Sequence, residues 1–160
     1  MKKIFLSAAV VAATLSMTAC GGTGFGKGDI DTLSYAVGAD LGLNLNFGMR
    51  DMELDEAVVL ANIEDFYKNG DLESEELREL RSRMMEFQYT RFMPYMNAKR
   101  QQESIATDCP DTLPALPALY DETFTREGVS EIIGKNMGSW IKGLNAELDM
   151  RSVKRAINDG

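Results

Sequence analysis

One helix-like segment occurs twice in this chain, once near each end, and this repeat limits the folds that the chain can adopt. LSYAVGADLG at 33–42 returns as VSEIIGKNMG at 129–138, with serine, glycine and glycine at the same four-residue spacing. A glycine inside a helix costs about 1 kcal/mol relative to alanine. Two glycines at fixed spacing in each copy therefore indicate a flat helix face that lets another backbone come close.

The match extends beyond this segment into a second helix. The Leu-Asp pair at 54–55 with Val59 and Ile63 returns as Leu-Asp at 148–149, followed by valine and isoleucine at the same spacing. The connection between the two segments is two residues shorter in the second copy. A repeat of this kind describes architecture before it describes chemistry.

The first residues have the pattern of a lipoprotein signal peptide at 1–19. Two lysines precede an apolar run from Ile4 to Leu15 that is too short to span a bilayer comfortably. The run is followed by Cys20, which we expect to carry a diacylglycerol; the alternative is ordinary secretory cleavage after Ala19. Gly21 stands where an inner-membrane retention signal would often place aspartate. We therefore expect a lipid anchor on the periplasmic side of the outer membrane, with a glycine-rich tether at 20–28.

Charge and residue usage exclude several classes of function. Without the two leader lysines, 15 basic residues face 25 acidic ones, a net charge of about −10 that would repel nucleic acid. The chain contains no histidine, which removes serine–histidine and cysteine–histidine catalysis and most zinc sites. We identify no catalytic residue, no metal site and no cofactor. Cys109 could pair between chains, but more simply it has no role.

Helical periodicity predicts an all-α fold: a short helix pair, one long projecting helix, then a partial second helix pair. We expect the first helix from Asp31 or Thr32 to Asn46, and the second from Asp55 to Asn69 with a left-handed cap. The long helix should run from Ser74 to about Ser104, roughly 45 Å at 1.5 Å per residue, with a kink at Pro94.

The domain boundaries follow from these elements. Residues 29–104 form the first copy, 105–124 a proline-rich linker, and 125–160 a second, incomplete copy whose helices begin near Glu127 and Asp149. Trp140 lies on the apolar stripe of its helix and should be buried. The second copy has no counterpart of the long helix, so we expect the sequence to be the N-terminal part of a longer protein.

Methionines and aromatic residues cluster on the long helix. They could form core or a dimer interface, or an adaptable surface for unfolded client proteins, which flexible thioethers suit. The candidate client surface comprises Met84, Phe87, Phe92, Met93 and Met96.

The segment DTLSYAVGADLG at 31–42 resembles the opening of the amino-terminal domain of FKBP-type peptidyl-prolyl cis-trans isomerases of the macrophage infectivity potentiator type. The order of parts agrees: that helix, a Leu-Asp-Glu helix at 54–56, Asn-Gly, an acidic turn and a long helix. In that family these helices intertwine to form a homodimer, and a separate domain carries the isomerase activity. No part of residues 1–160 matches the catalytic domain, so enzyme activity of this chain is an open question.

The resemblance implies a role in protein folding in the cell envelope. We expect a homodimer that holds unfolded or proline-containing envelope proteins as clients; the alternative is a scaffolding lipoprotein that binds one fixed partner. The helix-packing residues should be Leu33, Val37, Gly38, Leu41, Gly42 and Leu45 in the first copy, and Val129, Ile133, Gly134, Met137 and Gly138 in the second. Whether the copies pack on each other or on another chain stays open at this point.

Overall fold

The computed structural model describes residues 27–106, 113 and 115–159, and this part of the chain is helical without any strand, which confirms the all-α prediction. Six α-helices follow one another in it. They are α1 (Lys27–Leu43), α2 (Glu56–Asn69), α3 (Glu75–Phe87), α4 (Met93–Ala106), α5 (Arg126–Gly143) and α6 (Met150–Asp159).

The helix ends follow local side-chain chemistry. Asp55 accepts a hydrogen bond from the Val58 amide at 3.2 Å and so begins α2; Ser74 and Thr125 cap α3 and α5 in the same way. Two expected boundaries are wrong. First, α1 begins at Lys27, inside the expected tether. Second, the residue after α2, Gly70, has φ −66° and is extended, so the left-handed cap is absent there.

The long helix runs from Glu75 to Ala106 without a break in helical residues, but its hydrogen-bond pattern changes just before Pro94. Pro94 has no amide hydrogen, and its α-helical acceptor would be the Thr90 carbonyl. Residues Gln88–Phe92 form one π-helical turn. The Met93 amide donates to the Gln88 carbonyl, while the Thr90 carbonyl accepts from Arg91 Nη1 at 3.3 Å. The chain thus accommodates the missing donor within the helix.

The first part of the long helix packs against the rest of the protein and does not project from it. Phe87 is buried in the core and Phe92 packs against it. Farther along, Lys99 forms an ion pair with Asp51, which follows α1. These contacts differ from the projecting helix that we expected, since they hold the helix alongside the body at least as far as Lys99.

The two copies exchange helices. The most extensively packed pairs in the described residues are α2 with α5 and α1 with α6, so each helix of one copy packs on the other helix of the second copy. We call α1, α2, α5 and α6 the four-helix unit. Its buried apolar side chains include Val37, Leu41, Val59, Ile63, Val129, Ile133, Met137, Ile141, Val153 and Ile157.

The end of the expected linker is an anchored segment. Phe124 is buried, and its ring centroid lies 5.4 Å from that of Phe87. The Tyr120 ring stacks on Phe87 at 6.1 Å, and its hydroxyl donates to the Met52 carbonyl. Residues 119–124 therefore join the long helix to the start of α5. Cys109 and Pro110 lie outside the described residues.

One aromatic expectation is wrong. Trp140 is 47 % exposed, although it lies two turns after the buried Ile133 on the same face of α5. The cover over this face therefore ends before the last turn of α5.

Candidate functional site

The site that the repeat builds is the pair of contacts between the exchanged helices. Gly38 of α1 lies directly against the α6 backbone. A Cβ atom added to Gly38 would stand 2.3 Å from the Val153 carbonyl oxygen and 2.8 Å from Ala156 Cβ. Real Cβ atoms do not approach a carbonyl so closely, so glycine is required by the closeness of the two helices.

The second copy repeats this contact with the roles of the copies reversed. A Cβ atom added to Gly134 of α5 would stand 2.6 Å from the Val59 carbonyl oxygen and 2.8 Å from Asn62 Cβ in α2. Val59 and Asn62 occupy the same places in the first copy as Val153 and Ala156 in the second. The two interfaces are therefore equivalent residue by residue.

The other glycine of each copy extends the close approach by one helical turn. At Gly42 an added Cβ would lie 3.0 Å from the Ile157 carbonyl oxygen, and at Gly138 it would lie 2.8 Å from the Ile63 carbonyl oxygen. The Ser-Gly-Gly spacing thus follows the line along which the two backbones touch.

The repeated serine fixes the register of each helix pair. Ser34 Oγ donates to the Ile30 carbonyl at 2.6 Å and accepts from the Asp149 amide at 2.8 Å. Ser130 Oγ makes the same contacts with the Arg126 carbonyl and with the Asp55 amide, both at 2.8 Å. Each aspartate in turn caps the helix that begins after it.

The remaining packing residues named from the sequence lie in or beside these interfaces. Val37, Leu41, Val129, Ile133 and Met137 are buried in the main core, and Leu33 and Leu45 pack partly buried against it. All of these contacts are made within one chain.

An ion pair adds a link between the copies. Lys154 of α6 and Lys68 of α2 both bind the Glu64 carboxylate. The hydrogen bond from Lys154, followed by that from Lys68, lowers the pKa of Glu64 from its ordinary value of 4.5 to about 2. The side chain of Glu64 is 29 % exposed, so solvent weakens this pairing.

The candidate client surface on the long helix divides into buried and exposed residues. Phe87 is only 3 % exposed, so it belongs to the core and is not available to a client. Met84 packs on Leu77, Leu80 and their neighbours. Phe92 and Met96 are half-buried, and Met93 is 43 % exposed.

Two exposed residues of the same methionine and aromatic cluster were not included in the candidate client surface. Met85 is 52 % exposed and Tyr89 is 67 % exposed. With Met93 they recur every four residues, which is the spacing of one helix face and could have identified them. We call Met85, Tyr89 and Met93 the Tyr89 stripe.

No arrangement suited to catalysis is seen in the described part of the chain. Two shallow depressions lie beside the two serine–aspartate hydrogen bonds, one next to Asp149 and the other next to Asp55, and both carboxylates are used as helix caps. Among residues 27–106, 113 and 115–159, acidic and cysteine side chains do not gather into a metal-binding group. Within the same residues, no helix combines the length and the hydropathy needed to cross a bilayer. Cys20 lies outside them.

Comparison of the chain with protein-family models, with curated proteins and with solved structures finds no match.

Proposed function

We propose that this chain is a non-catalytic, client-holding module for protein folding in the cell envelope, related to the amino-terminal domain of FKBP-type isomerases. The observation that carries the proposal is the exchange of helices between the two copies. The resemblance implies an intertwined dimer, and here the two copies of one chain supply both halves of such an arrangement.

The matched contacts support this interpretation more strongly than a shared helical pattern would. Serine, glycine and glycine of one copy meet aspartate, valine and isoleucine of the other, in both directions. An intertwined arrangement requires contacts in both directions, because the two helices of each copy pack on the helices of the other copy and not on each other. The four-helix unit is thus the base on which the start of the long helix packs, through α5.

The proposed holding surface is the Tyr89 stripe. Flexible thioethers and an amphipathic tyrosine ring suit varied apolar segments of unfolded proteins. The three side chains lie on a helix that is otherwise anchored through Phe87 and Lys99. A fixed helix with an exposed apolar face offers binding area at a small cost in conformational entropy.

The proposed location is the periplasmic side of the outer membrane, with the lipid on Cys20. The acidic surface, with a net charge of about −10 without the two leader lysines, would be repelled by anionic head groups, so attachment depends on the lipid. Replacing Cys20 with alanine should release the protein from membranes and abolish labelling by a fatty-acid probe; continued membrane association would contradict this proposal.

The holding function is tested by suppression of aggregation. The chain should slow the aggregation of at least two unrelated unfolded proteins, and the variant Met85→Ser, Tyr89→Ser, Met93→Ser should lose most of this effect. The matched control replaces three exposed polar residues of the same helix, Gln88, Asn97 and Gln101, with serine.

The outcomes separate holding from scaffolding. Loss in the stripe variant and full activity in the control support client holding. A wild-type chain that protects none of the unfolded proteins would indicate the scaffolding alternative. The chain should also show no turnover in a proline-isomerisation assay, and measurable turnover would contradict the non-catalytic assignment.

A further inference from the structure

The two equivalent helices α1 and α5 differ in what covers their outer faces. On α5, the face formed by Ile132, Lys135 and Ser139 is covered by α3. Ile132 is buried with Leu77 and Leu80, and Lys135 pairs with Glu76 at 3.1 Å. Ser139 Oγ accepts a hydrogen bond from Arg81 Nη2 at 3.4 Å. This face is therefore suited to receive an amphipathic helix.

The equivalent face of α1 has no such cover in the described residues. Ala36, Ala39 and Leu43 correspond to the three α5 residues, and Phe47 continues the face by one turn. Leu43 is 52 % exposed and Phe47 is 79 % exposed, the highest exposure among the large apolar side chains described. We call Ala36, Ala39, Leu43 and Phe47 the α1 face. Its two alanines permit the close approach of another helix.

Charge selects a partner for the α1 face. From Lys27, where α1 begins, to Met49 the chain has three aspartates and one lysine, a net charge of −2, so two α1 faces would repel each other. From Arg78 to Arg100 it has six basic and two acidic residues, a net charge of +4. Three of these basic residues are matched, Arg78 by Glu75, Arg91 by Asp121 and Lys99 by Asp51. Arg81 and Arg83 donate to neutral oxygens.

We propose that the α1 face is the docking site for the Tyr89 stripe of a second copy of this chain. The stripe is the exposed apolar face of the basic long helix, whose other face is already packed on α5. Each chain carries one stripe and one α1 face. Two chains can therefore exchange both contacts reciprocally and close as a two-fold dimer.

This inference shares one element with the proposed function: the Tyr89 stripe is both the proposed holding surface and the proposed dimer contact. If the stripe also holds clients, a client and the second copy compete for it, and the dimer is the resting form. Association without any client tests the inference alone. Aggregation suppression at protein concentrations below the dimer dissociation constant tests the holding function alone.

Sedimentation velocity tests the dimer on the chain from residue 20 onward, with Cys20→Ser and a reducing agent to prevent disulfides between chains. The wild type should pass from monomer to dimer as its concentration rises. An α1-face variant, Leu43→Glu with Phe47→Glu, and a stripe variant, Met85→Glu with Tyr89→Glu, should each weaken association by at least about tenfold. Both variants should remain folded, since all four replaced side chains are exposed, and circular dichroism checks their helix content.

Mixing the two variants tests whether the stripe of one chain contacts the α1 face of the other. A heterodimer of the two variants retains one intact stripe-to-α1 contact, so the mixture should associate more tightly than either variant alone. A wild type that stays monomeric at every concentration would overturn the proposal. Loss of association in only one of the two variants would also overturn it, because that result indicates a like-with-like contact of one face.

Discussion

The hydroxyl of Ser34 accepts a hydrogen bond at 2.8 Å from the amide of Asp149, which lies 115 residues later in the chain. This bond joins the first helix of one copy to the second helix of the other. The equivalent bond in the opposite direction makes the two copies interdependent. Neither copy can bury its glycine face without the other, so the chain should unfold as one cooperative unit.

Replacing Gly38 with alanine should lower the free energy of unfolding by about 2–3 kcal/mol, because the new methyl group overlaps the α6 backbone. Gly28 in the same helix has open space around it and is the matched control. Gly28→Ala should leave stability unchanged or raise it by up to about 1 kcal/mol. Urea unfolding followed by circular dichroism measures both. Equal stability of the two variants would show that α1 and α6 are not in contact.

Ser34→Ala and Ser130→Ala should each lower stability by about 1–3 kcal/mol, since each leaves a partly buried aspartate amide without its acceptor. Equivalent contacts predict losses of similar size. The exposed Ser82 on α3 supplies the control, and Ser82→Ala should change stability by less than about 0.5 kcal/mol. A large loss for only one of the two buried serines would argue against the equivalence of the two interfaces.

The stability of the protein should depend on the ionisation of Glu64. Its pKa is about 2 in the folded protein and 4.5 ordinarily, so its contribution is present above pH 4.5 and is lost as the pH falls toward 2. Glu64→Gln should remove about 1 kcal/mol at pH 7, after allowance for solvent screening. It should also flatten the decline of stability between pH 5 and pH 2. The exposed Glu79 on α3 provides a control, and a Glu64→Gln profile that matches wild type would rule out the pairing.

Phe124→Ala should destabilise the protein by about 3 kcal/mol, because the ring is 2 % exposed and contacts Phe87. Phe47→Ala removes the same atoms from a site that is 79 % exposed and should have little effect in dilute solution. Thermal unfolding at low protein concentration compares the two. Similar melting temperatures for both variants would contradict the anchoring of residues 119–124.

Much of the fold could be predicted from the residues themselves. Helical periodicity and capping residues located the five predicted helices, the longest of which comprises α3, the π-helical turn and α4, and Pro94 marked the change in hydrogen bonding at that turn. The repeated serine and glycines identified a close helix contact. The residues that contact these glycines, such as Val153, could be recognised as repeated positions in the sequence. Nothing in the sequence indicated that they contact the glycines.

The pairing between copies could not be predicted, because either arrangement buries the same residue types. Contact within one copy and contact between copies satisfy the glycine face equally well, and connection lengths alone do not choose between them. The exposure of Trp140 was not predicted, and the burial of Phe87 was one of two alternatives that the sequence left open. Phe87 lies on a helix with apolar residues on more than one side, so periodicity does not say which side faces the core. Trp140 shares the helix face of the buried Ile133, and periodicity does not say how far along that face the cover extends.

The most direct test of the helix exchange is a nuclear Overhauser measurement between Gly38 and its neighbours. The structure predicts a strong contact between the Gly38 α-protons and the Ala156 methyl group. In a mixture of labelled and unlabelled chains at low concentration, this contact should arise within single chains only. Contacts from Gly38 to Val59 and Asn62 of its own copy, in place of Ala156, would contradict the account.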